Sequence, residues 1–125
     1  MFRARLLLVA ALLAPACALT PTPPPAQNEM DWVGDEMLAS TLASPARVLS
    51  AAALAFERAG LDFVDSEPGR TQCRLVVRFG DGRRVVLRAE RRTDGGSQLA
   101  LKVGLAGDEL TARQLLGLLF GELHS

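Results

Sequence analysis

Eight arginines fall between residues 70 and 92 against two acids, a local net charge of +6. Residues 17–69 hold two basic and eight acidic side chains, a net −6. The 125-residue chain is neutral, with 14 basic and 14 acidic side chains, only as a sum of unlike parts. A guanidinium presents five donors in a planar fork that matches carboxylates and phosphates, so the chemistry this stretch suits is anion binding. Neutrality of the whole argues against a nucleic-acid partner, which calls for a clearly basic domain. Other chemistry has little material. The one His, His124, is too little for a His-based triad or a His-rich metal site. Asp108-Glu109 is a carboxylate pair, but helix capping explains it with fewer assumptions. Gly104-x-x-Gly107 lacks the rest of a phosphate loop. Thr111 and Ser50 have no base nearby in sequence. The expectation is a non-enzyme with no catalytic residues, no metal and no cofactor.

The arginines need a scaffold, and the pattern supplies one. Cys73, Leu75, Val77 and Phe79 alternate with Arg74, Val76 and Arg78; Val85, Leu87 and Ala89 alternate with Arg84, Val86, Arg88 and Glu90. Period two marks strands. A two-residue Asp81-Gly82 loop would set Phe79 against Arg84 and apolar against charged along the hairpin. A three-residue loop, Gly80 to Gly82, pairs Val77 with Val85, Leu75 with Leu87 and Cys73 with Ala89. Only this parity makes one apolar face, and it puts Gly82 in the left-handed position of a bulge. Phe79 then meets Arg83 beside the turn. Cys73 points inward as a buried structural thiol.

In this register Arg74 faces Arg88 and Arg78 faces Arg84 on the outer side of the sheet, with Lys102 joining them. Like charges directly opposite destabilise a strand pair. Either the face is solvated, its arginine stems covering Val76 and Val86 and the acidic N-terminal half supplying partners, or it binds an anionic ligand through Arg74, Arg78, Arg84, Arg88 and Lys102.

Further elements frame this hairpin. Ser44 is an N-cap with Pro45 at the first helical position, and the helix ends before Gly60. Val48, Leu49, Ala52, Ala55, Phe56 and Ala59 share one face, and Leu54 is a misfit. A second helix starts near Gly107-Asp108-Glu109 and runs to about Leu123. Ala112, Leu115, Leu116, Leu119, Phe120 and Leu123 form its stripe, and Leu110 and Leu118 lie off it. Glu109 and Arg113 are spaced for an i,i+4 pair. Gly117 and Gly121 suggest close packing on the sheet. Asp94-Gly95-Gly96 reads as a second hairpin turn, with Leu99, Leu101 and Val103 inward. Leu61 to Ser66 is an earlier strand followed by a Pro68-Gly69 turn, and Met37 to Ala43 a first strand. The predicted fold is α+β, a mostly antiparallel sheet of four to five strands with two helices on one face, in the order β-α-β-β-β-β-α.

The N-terminus reads as an address. Arg3 and Arg5 precede nine apolar residues, Leu6 to Ala14, then Ala14-Pro15-Ala16 before Cys17. This is the pattern of a secretory signal peptide, residues 1–16. Nine residues are too few for a spanning helix, which needs about 20. Leu13-Ala14-Pro15-Ala16-Cys17 resembles a bacterial lipobox, whose Cys becomes the lipid-bearing first residue, although the Leu stands one place further out than usual. Simple cleavage after Ala16 or Ala18 without a lipid is the alternative. By similarity to Gram-negative lipoproteins, Ala18 after the Cys implies the outer membrane. Residues 17–30 would form lipid attachment and a Pro-rich tether, Ala18 to Asn28 spanning roughly 30 Å as polyproline II. Residues 31–123 would form the folded α+β domain.

The run from Val103-Gly104 through Gly107-Asp108-Glu109 to Arg113-Gln114-Leu115-Leu116 is similar to the closing Gly-Asp-Glu segment of a family of small bacterial lipoproteins of unknown function. The Pro45–Ala59 helix ending in Ala59-Gly60-Leu61, and Trp32-Val33-Gly34, fit the same family over about residues 31–120. The resemblance implies a periplasm-facing, membrane-anchored α+β domain and no assigned activity. The expected partners are the membrane, through a lipid on Cys17, and an envelope protein or anionic envelope component. A secreted or periplasmic soluble protein is the alternative localisation.

Overall fold

The arginine hairpin sets the geometry of everything around it. In the computed structural model, which describes residues 29–124, strands β4 (Gln72–Arg78) and β5 (Arg84–Arg91) pair with Val77 opposite Val85, Leu75 opposite Leu87 and Cys73 opposite Ala89. The loop is Gly80 to Gly82, closed by the Phe79 amide donating to Arg83 O at 2.9 Å, with Gly82 at φ +95°. The parity argument therefore predicts both the register and the bulge position. The signal peptide, Cys17 and most of the tether lie outside the described residues.

Strand β6 (Ser97–Val103) joins the free edge of β5, and β3 (Asp62–Glu67) the free edge of β4. The turn into β6 is Thr93-Asp94-Gly95, one residue earlier than expected: Arg92 and Gly96 close it through an N–H···O bond of 2.8 Å. Gly96 is required for another reason, since a Cβ there would collide with Thr41 O. Strand β2 (Glu36–Thr41) pairs with β6, and β1 (Met30–Val33) with β2, giving an antiparallel order β1-β2-β6-β5-β4-β3. The class is α+β as expected, but the strands number six, not four to five, and the order is ββαββββα. The extra strand is β1, folded back on β2 by the two-residue Gly34-Asp35 turn.

Helices α1 (Pro45–Arg58) and α2 (Glu109–Leu123) cover the inner face of the sheet. Ser44 Oγ accepts from the Arg47 amide at 3.3 Å, and Pro45 occupies the first turn where its missing N–H costs nothing. At the other end Leu61 N–H donates to Phe56 O and Gly60 N–H to Glu57 O, both at 3.0 Å, the paired bonds of a Schellman cap. The stripe of α2 is buried as expected, and Leu54, Leu110 and Leu118 remain exposed. Gly117 and Gly121 are a correction. They face outward with nothing within 4 Å of an added Cβ, so they do not provide close packing on the sheet. Side chains at Leu115, Leu116, Leu119 and Phe120 fill the helix–sheet space instead.

The core runs from Phe56 and Val48 through Met37, Leu75, Leu87, Leu99 and Leu101 to Leu116 and Leu119. Burying a side chain of this size stabilises by about 1.5–3 kcal/mol. Thr41 and Ser97, opposite each other, are buried polar residues with partners: Ser97 O–H donates to Ala43 O at 2.8 Å, and the Ala43 amide donates to Thr41 Oγ1 at 3.3 Å. Cys73 is 2 % exposed, its Sγ 3.3 Å from Gly69 O, a buried thiol as expected.

Candidate functional site

All five basic residues picked out by spacing stand on the outer sheet face. Arg74 lies opposite Arg88, Arg78 opposite Arg84, and Val86 opposite Lys102. Their stems cover the face well enough that Val76 is only 3 % exposed. Their charges divide into two groups. Arg74 donates to Glu67 at 2.9 Å, Arg88 to Glu36 at 2.7 Å, and Lys102 to Asp35 at 2.8 Å. The acids come from the N-terminal half, so the fold brings the −6 and +6 segments together. Arg78 and Arg84 make no ion pair among the described residues. Asp62 lies opposite Arg78 on β3. Arg84 has only Arg78 on one side and, on the other, Gly104, whose amide donates to Arg84 O at 2.8 Å.

Arg84 and Lys102 share a concavity of about 910 Å³ at the end of the sheet, between the β4–β5 turn and the β6–α2 loop. Arg83 forms one rim. Its guanidinium lies 4.7 Å from the centroid of the Phe79 ring and donates to Asp81 at 3.0 Å and to Asp108 at 3.3 Å. The mismatch expected beside the turn is thus a cation–π contact and a strap onto α2. Val86 is half-buried in the floor, and Leu105, 96 % exposed, stands at the edge. Arg83 and the loop 104–107 were not among the residues that spacing picked out. The signal available for them was the Gly104-x-x-Gly107 pair.

Asp108 caps α2, accepting from the Thr111 hydroxyl at 2.8 Å and the Thr111 amide at 3.1 Å. Those two bonds, with Arg83 nearby, hold its carboxyl below the ordinary value of 3.8. The bond from Lys102 does the same for Asp35, and the bond from the Arg83 amide for Asp81. The loop is seated on the β1–β2 turn at Gly107, where φ is +85° and a Cβ would lie 2.5 Å from Asp35 O. Two of these acids, Asp81 and Asp108, line the cleft beside Arg83, and the third, Asp35, holds Lys102, so the cleft's lining is braced by ion pairs.

Among the described residues no three His, Cys, Asp or Glu side chains are grouped to hold a metal ion, and no helix is long and apolar enough to cross a membrane. Fold and site together define a small α+β domain with a half-neutralised arginine face that ends in an open cleft, where Arg84 is the one basic side chain of the described lining without an ion pair. No family model matches the chain, and the search of curated proteins found no match.

Proposed function

We propose that the chain is a membrane-anchored lipoprotein of the bacterial envelope, its domain facing the periplasm as a non-enzymatic interaction module. The observation that carries this reading is Cys17, placed directly after small residues and an apolar run, with a Pro-rich segment between it and β1. The position of β1 is consistent with it. Met30 stands in the row of Ala39, Leu99 and Ala89, while the cleft lies five residues further along β5 at Arg84. At 3.4 Å per residue this is an offset of about 17 Å along the strands, so the chain enters the sheet at the end away from the cleft. The test is the intact mass of the mature protein extracted from membranes, with Cys17→Ser as control. The expected result is a chain beginning at Cys17 with added acyl mass that the control lacks. A mature chain beginning at or beyond Cys17 with no acyl mass overturns the anchor.

A second reading, an anionic envelope ligand bound through the arginine face, is favoured by one observation: Arg78 and Arg84 oppose each other without ion pairs. Three of the five cations are already matched, which narrows the reading to these two. Salt-sensitive sedimentation of the unlipidated Cys17→Ser chain with anionic vesicles, lost on Arg78→Glu plus Arg84→Glu, is the expected result. No sedimentation of the Cys17→Ser chain at low salt removes it.

A further inference from the structure

The geometry points to the cleft at Arg84 as a binding site for a carboxylate carried on a short apolar group, either a fatty acid or the C-terminus of a peptide. The inference rests on the anion-binding reading and names its ligand.

Charge comes first. Of the cations at this end of the sheet, Arg83 is held by Asp81 and Asp108, and Lys102 by Asp35. Arg78 has Asp62 across from it on β3. Arg84 alone has no acid opposite, and it is exposed. One planar guanidinium with an unfilled fork matches one carboxylate, through two parallel N–H···O bonds. A phosphate dianion asks for more free cations than this cleft holds. The nearby helix N-terminus is already filled by the Asp108 carboxylate.

Space comes next. The neighbour of Arg84 just past the end of β6 is Gly104, and an added Cβ there would meet only Arg83 Cδ, at 4.0 Å. The missing side chain leaves room beside the guanidinium. The volume of about 910 Å³ is in the range of small-molecule sites. Val86 and Leu105 supply the apolar surface next to that room. Leu105, 96 % exposed at the mouth of the cleft, sets an apolar side chain where the tail of such a ligand would lie.

Stability points the same way. An arginine facing another arginine across a strand pair works against the sheet. Every other outer-face cation of the β4–β5–β6 set has an acid opposite it or bonded to it, so Arg84 is the residue whose placement the fold does not account for.

The test is titration of the ¹⁵N-labelled full chain, Cys17→Ser, with sodium octanoate, N-acetyl-Ala-Leu and the C-terminal amide of that dipeptide. Saturable shifts at the Gly82, Gly104 and Gly107 amides are expected with at least one carboxylate, with Kd of about 1 mM, as suits ligands of roughly ten to seventeen heavy atoms. The amide should bind at least tenfold more weakly. Arg84→Gln should weaken binding by about tenfold or more, a lost charge-assisted pair, and Arg70→Gln, the same charge change at the other end of the sheet, should leave Kd within twofold. Octanoate alone binding assigns a fatty acid; the dipeptide alone binding assigns a peptide end. The inference is overturned if neither carboxylate gives saturable shifts at these glycines, if the amide binds as well as the acid, or if Arg84→Gln binds like the parent. Vesicle sedimentation separates the two levels: salt-sensitive vesicle binding without carboxylate binding leaves the anion-binding reading standing and removes only this ligand. The mass measurement on Cys17 is independent of both.

Discussion

Gly107→Ala is the substitution that most directly tests how the cleft is held. Two costs combine there. At φ +85° an L side chain is strained by about 1–2 kcal/mol. The new methyl would also stand 2.5 Å from Asp35 O, 3.0 Å from Asp35 Cβ and 3.1 Å from Asp35 C. Relief requires backbone to part from backbone, because no flexible side-chain end is involved. Forcing a methyl into a packed contact costs typically about 1–3 kcal/mol. The sum is about 2–5 kcal/mol. Gly82→Ala provides the reference: φ is +95° but nothing lies within 4 Å, so only the conformational cost of about 1–2 kcal/mol applies. With a urea slope of about 1–3 kcal/mol per molar, the extra contact cost of about 1–3 kcal/mol should lower the midpoint of Gly107→Ala by about 0.3–3 M beyond that of Gly82→Ala. Far-UV circular dichroism during urea unfolding of the full chain measures both. Equal destabilisation by the two variants, within about 0.5 kcal/mol, would refute the claim that the loop is seated on the β1–β2 turn.

Three more outcomes are expected. Arg84→Gln should stabilise the fold by about 0.2–1 kcal/mol in urea unfolding, because it removes a like-charge cross-strand pair; destabilisation would mean that Arg84 has a structural partner. Stability should fall with acid in a definite direction. The carboxyls of Asp35, Asp81 and Asp108 lie below 3.8 when folded, so the native state binds fewer protons than the unfolded one. Their contribution is complete above the unfolded value and is lost as pH drops through the folded values. Urea midpoints between about pH 2 and 6 should therefore decline below about pH 4, and less steeply in Asp108→Asn; an unchanged decline in that variant would count against the cap. In the Cys17→Ser chain, Cys73 should resist a thiol reagent until urea unfolds the protein, since it is 2 % exposed; rapid reaction of the native chain would contradict its burial.

What was legible in the sequence was whatever parity and period control. A one-residue slip of the β4–β5 hairpin would turn every side chain over, so the apolar residues alone determine its register. The helical stripes were readable for the same reason, including which leucines fall outside them. Four-residue β1 was not: Met30–Val33 is too short to establish a period, and its turn needs only Gly34-Asp35. Gly117 and Gly121 misled because glycine spacing marks a face without saying whether anything stands against it. The cleft was only half readable. Arg84 and Lys102 follow from alternation, but the matching of Arg88 by Glu36 joins residues two strands apart in the sheet and 52 apart in sequence. No local pattern encodes such a pair, and it is these pairs that decide which arginines remain free.

The strand order also has a kinetic side. Strands β3 to β6 follow one another as neighbouring hairpins, each closed by a short loop. Strand β2, by contrast, pairs with β6, bringing Met37 to Leu101 across roughly 60 residues of intervening chain. Closing a long loop costs conformational entropy that only later contacts recover. The meander is therefore the natural nucleus, and the β1–β2 hairpin, the first part of the domain made, is the last able to dock. Until it does, Leu99 and Leu101 present an open strand edge, and the Asp35 turn that seats the β6–α2 loop is missing. The cleft would then come into being only at the final step of folding, so that a chain able to bind there is one whose N-terminal hairpin has already closed the sheet.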